Sequence, residues 1–443
     1  MNIPINVLAL IFVLSVLIVV HEFGHYAVAK GFRFPVEIFS LGFGKRLFGW
    51  KRRETDYRVS MIPLGGYVKV VGLGPDESDV VAGQEPAAPL GPRWRRLLVL
   101  VAGPAMNLVL ALLLTAGAFV IGMEVLKYQD EAPVVKYVEA RSPAERAGVK
   151  VDDIVVAIGG TPVSTWREVE MDLGLAPREN IPVELKRGGE MVHVTLRPEP
   201  DRKYDIGYTG LNPYLAPVVG ALVRNYPAEK AGLKAGDRIV SVAGNGVAGY
   251  YEVVRRIREA AAAFGAGGPK AIEFVVERGG ERLTIPITPR EESGSWRIGF
   301  APKYETVTKR LGPVEAVSAA ARELVRQTQT TGVTVARLFR GTSSMRQLSG
   351  PIDIAKFSGE AARSGPGPLL GLMGILSLQL GLLNLLPIPL LDGGQLFVTL
   401  LEALVRRDFP IRLKERLLQA GFVFLVLIMV TVLYFDVLKN VSF

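Results

Sequence analysis

Long apolar stretches dominate the hydropathy pattern of the chain. Four of them are long enough to cross a bilayer as helices, which needs about 20 apolar residues each. They run from about Ile5 to Ala29, from Leu97 to Met123, from near Leu369 towards Asp392, and from about Leu417 to Phe435. The first lacks the basic n-region and the cleavage site of a signal peptide, so we expect a retained helix. Trp94 and Tyr434-Phe435 lie at segment ends, as an interfacial aromatic belt predicts.

Basic residues are concentrated in the two segments that join these helices in pairs. Lys and Arg cluster between the first and second apolar stretches and again between the third and fourth. The positive-inside rule therefore predicts that both segments are cytoplasmic, and that both termini and the region from Glu124 to about Pro368 face the other side of the membrane. The net charge of +9 fits this topology and anionic lipid better than it fits nucleic acid.

The region between the second and third apolar stretches contains an internal repeat. Residues 143–163 align without gaps on residues 227–247, and each copy predicts a short helix followed by a turn and a strand. A Gly-aromatic pair follows in each copy, Gly207-Tyr208 or Gly299-Phe300. The sequence therefore predicts two tandem α+β modules, the second lengthened around Ala260–Gly268.

Three further segments complete the predicted organisation. Phe34 to Val71 mixes apolar residues with glycines and predicts hairpin-forming strands close to the membrane surface. Gly72 to Pro92 predicts a flexible linker, and Thr306 to Phe339 predicts an amphipathic helix that leads back to the membrane. The predicted fold class is a polytopic α-helical membrane protein with four transmembrane helices, a membrane-associated β-hairpin region and the two tandem α+β domains. The predicted divisions are 1–31, 32–93, 94–123, 124–214, 215–303, 304–366, 367–405 and 406–443.

The histidines carry the clearest chemical signal. The chain has no cysteine, which excludes thiol catalysis and cysteine-type zinc sites, and it has three histidines. Two of them form the motif His21-Glu22-Phe23-Gly24-His25. A spacing of four places both imidazoles on one helix face, where they can bind one zinc ion, and Glu22 lies close enough to deprotonate a water on that ion.

A catalytic zinc usually needs a third protein ligand. Asp392 is the one acid of the third apolar stretch, and because that stretch runs inwards, Asp392 falls at the depth of His21 and His25. The alternative is that Asp392-Gly393 is a plain turn, since Asp-Gly is a common turn dipeptide. His193 lies in an alternating stretch of the first repeat, beyond the membrane, and is expected to be structural.

The two membrane motifs together resemble the site-2 protease family of intramembrane zinc metalloproteases. The residues that carry the resemblance are the motif at His21 and the stretch from Asn384 to Gly393, Asn-Leu-Leu-Pro-Ile-Pro-Leu-Leu-Asp-Gly. Two PDZ-like modules between the second and third helices make the chain similar to the sigma-E-regulating branch of that family in Gram-negative bacteria. The resemblance implies that Glu22 is the general base and that the zinc ligands are His21, His25 and Asp392.

The resemblance also assigns parts of the chain outside the metal motif. It implies that Asn384 contacts the substrate backbone and that Phe34–Val71 is a membrane re-entrant β-structure beside the active site. Gly103 and Asn107, in the second helix, match a further pattern of the family and are expected at a helix–helix contact.

A transmembrane substrate must unwind before its peptide bonds can be reached, and unwound backbone in a bilayer needs protein partners. An edge strand can supply them by β-addition. The candidate strand is Met61–Lys69, with Leu64, Gly65, Gly66 and Tyr67 as substrate-binding residues; an ordinary surface hairpin is the alternative. Asn384, Pro387 and Pro389 predict an unwound substrate-lining segment before Asp392, with a packed helix kink as the alternative.

The expected function is that of an intramembrane zinc endopeptidase of the bacterial inner membrane, with its active site near the cytoplasmic side. By resemblance, its partners are single-span substrates such as an anti-sigma factor, cleaved after prior trimming, and the PDZ-like pair acts as a size filter or binds a C-terminus. The expected cofactor is Zn²⁺, and nucleic acid is not an expected partner. Two other classes stay open: a catalytically inactive PDZ adaptor, which would not need Glu22, and a metal transporter, which the uncharged second and fourth helices disfavour.

Overall fold

The computed structural model describes residues 3–71, 73, 92–201, 203–264, 268–292, 295–341 and 344–441. The chain forms two compact units: Met1–Glu124 with Thr308–Phe443, and Val125–Val307. The predicted linker from Gly72 to Pro92 lies, apart from Leu73 and Pro92, outside the described residues.

Eleven α-helices are present in the described residues. They are α1 (Ile3–Gly31), α2 (Arg93–Ile121), α3 (Pro143–Arg146), α4 (Trp166–Gly174), α5 (Pro227–Lys230), α6 (Tyr250–Ala262), α7 (Pro313–Phe339), α8 (Pro351–Ser364), α9 (Pro366–Asn384), α10 (Asp392–Val405) and α11 (Ile411–Val441). Four of them, α1, α2, α9 and α11, are long and apolar enough to cross a membrane, over Pro4–Gly31, Arg93–Ile121, Pro366–Asn384 and Ile411–Asn440. The prediction of four such helices is confirmed.

The strands lie mainly in the hairpin region and in the repeats. They are β1 (Val36–Arg52), β2 (Thr55–Val70), β3 (Met123–Leu126), β4 (Tyr137–Val138), β5 (Ile154–Ile158), β6 (Thr161–Pro162), β7 (Ile181–Arg187), β8 (Glu190–Leu196), β9 (Glu199–Pro200), β10 (Gly207–Tyr208), β11 (Leu211–Asn212), β12 (Val219–Leu222), β13 (Arg238–Val242), β14 (Asn245–Gly246), β15 (Ile272–Arg278), β16 (Glu281–Ile287), β17 (Arg290–Glu292), β18 (Ser295–Arg297), β19 (Phe300–Pro302) and β20 (Thr306–Lys309).

The third apolar stretch, which falls in the predicted division 367–405, is not one continuous helix, in agreement with the unwound segment that Asn384, Pro387 and Pro389 predict before Asp392. Helix α9 ends at Asn384 and α10 begins at Asp392, with residues 385–391 unwound between them. Pro387 and Pro389 cause this break, because proline offers no N–H to a helix and disfavours helical backbone in the residue before it. Asp392 therefore lies in the first turn of a separate helix, where the positive end of the helix dipole stabilises a carboxylate.

The helix predicted over residues 306–339 begins later than expected. The β-branched run Thr306–Lys309 forms strand β20, and α7 starts at Pro313. Proline at the first helical position is favoured, because the N–H that it lacks has no partner within the helix there. The C-terminal part of the prediction holds, since α7 continues to Phe339.

The predicted hairpin forms, but its two long strands bend into four rows. Ile38 pairs with Lys69 on one side and with Asp56 on the other. The first half of β1 therefore lies between the two halves of β2, and the second half of β1 pairs with the start of β2. The rows follow in the order 46–52, 55–60, 36–41 and 66–70.

The hairpin and three helices enclose one region of the first unit. Phe34, Val36 and Val70 at the base of the hairpin form a buried cluster with Ala29 of α1 and Val99 of α2. A second buried cluster joins α1 to α9 through Val13, Leu17 and Met373. Helices α1, α2 and α9 thus surround the histidine motif, with β2 along one side.

The second unit consists of the two predicted modules. A four-stranded sheet in the order β6-β5-β7-β8 recurs as β14-β13-β15-β16, each with its own apolar core. The offset between matching strands rises from 84 residues, for Ile154 and Arg238, to 91, for Ile181 and Ile272. The extra length falls at α6 and after it, where the sequence predicts it, and residues 265–267 of that stretch lie outside the described residues.

Candidate metal centre and active site

The two motif histidines and Asp392 converge in the first unit. His21 and His25, one turn apart on α1, bring their Nε2 atoms to 3.2 Å from each other. Asp392 Oδ2 lies 3.0 Å from His21 Nε2, and Asp392 Oδ1 lies 3.4 Å from His25 Nε2. Both histidines are buried. Segments that are 367 residues apart in sequence, at His25 and Asp392, thus supply three metal-type ligands at one point.

The second nitrogen of each imidazole has its own partner. His25 Nδ1 donates to the backbone carbonyl of Val99 at 2.8 Å, so its Nε2 keeps a lone pair. His21 Nδ1 lies 3.0 Å from the side-chain amide of Asn107, whose Oδ1 is buried without a partner among the described residues. With that amide turned over, Oδ1 accepts from His21 Nδ1–H and leaves His21 Nε2 as a ligand atom. Such outer partners fix the tautomer of metal-bound histidines.

A glycine of α2 leaves room for an imidazole ring where this helix packs closely against α1. A Cβ atom on Gly103 would lie 2.2 Å from His25 Nε2, so only glycine fits beside this imidazole. Asn107 lies one turn further along α2, and its backbone carbonyl accepts from Ser377 of α9 at 2.8 Å. The resemblance predicts that Gly103 and Asn107 lie at a helix–helix contact; in the structure, Gly103 lies beside His25 and Asn107 beside His21.

The unwound segment sets the position of Asp392. A Cβ atom on Gly394 would lie 2.2 Å from the backbone oxygen of Ile388, so α10 begins directly against the segment that precedes it. Leu390 has a φ of 104°, which is costly for a branched side chain. Strained backbone two residues before Asp392 indicates that the tight turn is held by the packing around it.

The arrangement fits a tetrahedral metal ion. Nitrogen and oxygen ligands at 2.0–2.2 Å from a zinc ion lie about 3.3–3.6 Å from one another, close to the 3.0–3.4 Å found here. The three groups are hydrogen-bond acceptors that face one another, and Asp392 Oδ2 is buried without a hydrogen-bond donor among the described residues. Buried acceptors held this close to one another form a favourable site for a cation.

Glu22 lies between the ligands and the hairpin. Its side chain borders the same cavity as His21, His25 and Asp392, a space of about 280 Å³. Val68 of β2 lines the cavity as well. A Cβ atom on Gly66 would lie 3.5 Å from Glu22 Cγ and 2.8 Å from the backbone oxygen of Ser40, so the strand approaches α1 closely at a glycine.

The last row of β2 forms one wall of this cavity. Gly65, Gly66 and Tyr67 all line it, and Tyr67 stacks on Phe43 with the ring centroids 6.0 Å apart. Among the described strands, the backbone of Gly66 to Val68 pairs with β1 on one side only. This row is therefore an edge strand beside Glu22.

The other residues singled out in the sequence lie in different parts of the structure. Asn384, the last residue of α9, places Nδ2 3.3 Å from His21 Nε2 and also lines the cavity. Pro387 borders a second cavity of about 430 Å³, against α11. Leu64 lies in β2, but its side chain is outside the described residues. His193 lies in β8 of the second unit, opposite Glu184, as expected for a strand residue.

Sequence reasoning missed two other parts of the site. Gln395, one turn after Asp392 on α10, lines the cavity together with Ile18 and Leu380. The carbonyl of Val99 that orients His25 is a backbone atom and leaves no mark in the sequence. Gln395 closely follows the recognised stretch from Asn384 to Gly393. Its spacing of three residues from Asp392 on a helix is the pattern that could have predicted it.

Comparison with known proteins decides the family. The sequence profile described as Peptidase family M50 matches residues 9–428, nearly the whole chain. The chain belongs to peptidase family M50. This confirms the predicted resemblance, because M50 is the site-2 protease family, and with it the metalloprotease class and the zinc dependence of the family.

Individual relatives align with this chain over nearly their full lengths. A Neisseria meningitidis protein named "Putative zinc metalloprotease" is 31% identical, with 98% of this chain and 99% of the relative covered. A Salmonella typhimurium protein named as a regulator of sigma-E protease is 30% identical, over 97% of this chain and 98% of the relative. The Haemophilus influenzae protein of the same name is 29% identical over 97% and 98%.

Proposed function

We propose that this M50 chain is an intramembrane zinc endopeptidase that cleaves the transmembrane segments of single-span proteins after prior trimming. The observation that carries the proposal is the convergence of His21, His25 and Asp392 beside Glu22, in a cavity bordered by membrane-length helices. An anti-sigma-factor-like substrate is proposed because two relatives are named as regulators of sigma-E protease.

The roles in the reaction follow from the chemistry of each group. Bound by His21, His25 and Asp392, zinc supplies a Lewis acid for the attacking water and the scissile carbonyl. Glu22 accepts a proton from the attacking water and returns it to the amine as the C–N bond breaks. Burial of the site excludes bulk water, which strengthens these electrostatic interactions.

The edge strand is proposed to present the substrate. A substrate helix that unwinds in the membrane exposes N–H and C=O groups that cost several kcal/mol each if unpaired. The free side of Gly66 to Val68 can pair with that backbone by β-addition, next to Glu22. Asn384, which lines the same cavity, is proposed to hydrogen-bond to the same backbone.

We further assign the two repeats as PDZ-like domains that act as a size filter. The support is their shared order of short helix, strands, longer helix and late Gly-aromatic pair. The positive charge between α1 and α2 and between α10 and α11 supports a topology with the repeats and both termini in the periplasm of the inner membrane.

The test is a digest of a model transmembrane peptide by the purified chain in proteoliposomes. Glu22→Gln is expected to lower the cleavage rate by about 10²–10⁴-fold while zinc content is kept, because the amide cannot take a proton. Asp392→Ala is expected to lower zinc content as well as cleavage. Zinc is measured by mass spectrometry of the same preparations.

His193→Ala is the matched control, because it removes the third histidine of the chain from a strand of the second unit. It should leave both zinc content and cleavage unchanged. Wild-type cleavage by Glu22→Gln would refute the mechanism, and unchanged zinc content in Asp392→Ala would remove Asp392 from the ligand set.

A further inference from the structure

The turn end of the β1–β2 hairpin exposes large apolar side chains. Residues 45–53, named here the hairpin tip, are all exposed, and Leu47, Phe48 and Trp50 are 58%, 65% and 64% exposed. Phe48 and Trp50 share a strand face, because alternate side chains point the same way. Trp50 stacks on Tyr57 with the ring centroids 5.6 Å apart, which holds the indole in place. Such a patch indicates a binding surface.

The same nine residues carry five cations and no acid, at Lys45, Arg46, Lys51, Arg52 and Arg53. Arg46 pairs with Asp56 at 3.2 Å. Within the described part of the chain, the other four form no ion pair. Cations on both sides of the apolar side chains match an anionic surface with an apolar interior, because Arg and Lys can lay their stems on apolar matter and keep their charges at its edge.

Contacts with α1 fix the tip at the end of a membrane-length helix. Lys30, in the last turn of α1, donates to Glu54, and the hydroxyls of Tyr26 and Tyr57 are hydrogen-bonded at 2.6 Å. The apolar run of α1 ends at Lys30, which is where a spanning helix reaches the lipid headgroups. The tip therefore lies at headgroup depth if α1 spans the bilayer.

Aromatic residues at the neighbouring helix end support the same depth. Phe32, just after α1, packs edge-on against Trp94 of α2 at 5.3 Å between ring centroids. The Arg95 guanidinium lies over both rings, at 5.9 Å and 5.2 Å. Tryptophan and arginine together at a helix end are typical of the membrane interface.

We propose that the hairpin tip is a binding site for the headgroups of anionic phospholipids in the bilayer that α1 crosses. Phe48 and Trp50 enter the boundary between headgroups and acyl chains, and Arg52, Arg53 and the two lysines bind lipid phosphates. Because the tip and the edge strand beside Glu22 belong to the same two bent strands, the bound lipid would also hold that edge in place. The inference rests on exposure, charge and depth, and it does not depend on the proteolytic activity.

The experiment measures quenching of Trp50 fluorescence in the full-length chain, reconstituted in nanodiscs. The discs contain phosphatidylcholine and phosphatidylglycerol, with bromine on the acyl chains of one lipid or the other. The Trp50 signal is the difference between the wild type and Trp50→Phe. Brominated phosphatidylglycerol is expected to quench it at least about twofold more than brominated phosphatidylcholine, a preference that weakens in high salt.

Arg52→Gln combined with Arg53→Gln is expected to abolish the preference, while both lipids still quench Trp50 to a similar extent. Arg406→Gln with Arg407→Gln is the matched control, because it removes two adjacent exposed arginines after α10 and should keep the preference. Zinc content of every variant reports correct folding of the first unit. Equal quenching by the two lipids in the wild type, or no quenching of Trp50, would overturn the proposal.

Discussion

Gly103 shows how a residue without chemistry of its own can decide the metal site. It lies against the imidazole of His25, and a Cβ atom at this position would be 2.2 Å from Nε2, the ligand atom. Larger residues would therefore push the ring out of place. Asn107 acts on His21 in a similar way through a hydrogen bond. Both residues belong to α2, which supplies no metal ligand.

We expect Gly103→Ala to lower zinc affinity by about 10–100-fold, the usual effect of losing a group that orients a ligand. Zinc competition with a chelator of known affinity measures the change. Gly117→Ala is the control on the same helix, since a Cβ atom there would meet Leu370 at an ordinary 3.5 Å. Wild-type affinity in Gly103→Ala would show that His25 has room to move.

Individual residues also show which parts of the metal site can be predicted from the sequence. The spacing of His21 and His25 predicts one helix face, and topology brings Asp392 to the same depth, so the ligands could be found without coordinates. The orienting atoms could not, because Val99 acts through its carbonyl and Gly103 through the absence of a side chain. These depend on the packing of α2 against α1, which no local pattern describes.

At the scale of elements, a buried ionic cluster ties α10 to its neighbours. Glu402 of α10 is fully buried and accepts from Lys414 of α11 and from the backbone N–H of Phe409, both at 2.7 Å. Arg96 of α2 lies 3.9 Å from Glu402. Because Asp392 begins the same helix, the cluster also helps to set the position of the third ligand.

Glu402→Gln is expected to destabilise the chain by about 3–5 kcal/mol, since it leaves Arg96 and Lys414 buried without their shared carboxylate. The variant should melt at a lower temperature in detergent and lose zinc more readily. Glu415→Gln, at the residue that follows Lys414 on α11, is the control and should behave as wild type. A wild-type melting temperature in Glu402→Gln would contradict the stabilising role assigned to this carboxylate.

The hairpin and the third apolar stretch show where element prediction succeeded and failed. Glycines and alternating apolar residues predicted the hairpin, but the two-sided pairing of Ile38 depends on a bend that periodicity does not reveal. Pro387 and Pro389 predicted a break in the helix. That Pro387 would face α11 and Asn384 the metal site depends on the rotation of the chain between residues 385 and 391.

At the scale of the whole molecule, the two repeats of the second unit contain the same ion pair between a buried aspartate and an arginine. Asp153 accepts two hydrogen bonds from Arg187, each of 2.7 Å, and Asp237 accepts two of 2.7 Å from Arg278. Burial alone would raise the pKa of Asp153 and Asp237. The arginine and a backbone N–H outweigh burial and hold the pKa of each carboxyl below its usual range.

The lowered pKa gives the stability of the repeats a defined pH dependence. A carboxyl with a depressed folded-state pKa stabilises the fold above its unfolded value of about 3.9, and this stabilisation is lost as the pH falls through the folded-state pKa. Asp153→Asn should therefore destabilise the first repeat by about 2–4 kcal/mol at pH 7 and by less near pH 3.

Hydrogen exchange of β7 and β8 in the full-length chain measures this loss, with β15 and β16 of the second repeat as an internal reference. Asp152→Asn is the matched control, because Asp152 is exposed and its ion pair with Lys136 lies on the surface. Equal protection of β7 in Asp153→Asn and wild type would contradict the assigned role of the buried pair.

The central claim is that His21, His25 and Asp392 hold one zinc ion beside Glu22. X-ray absorption at the zinc edge of the purified full-length chain tests it most directly, with Asp392→Ala alongside. The account predicts two imidazole nitrogens and carboxylate oxygen at about 2.0–2.2 Å, and a changed oxygen shell in the variant. A wild-type spectrum without imidazole scattering, or an identical spectrum from Asp392→Ala, would contradict it.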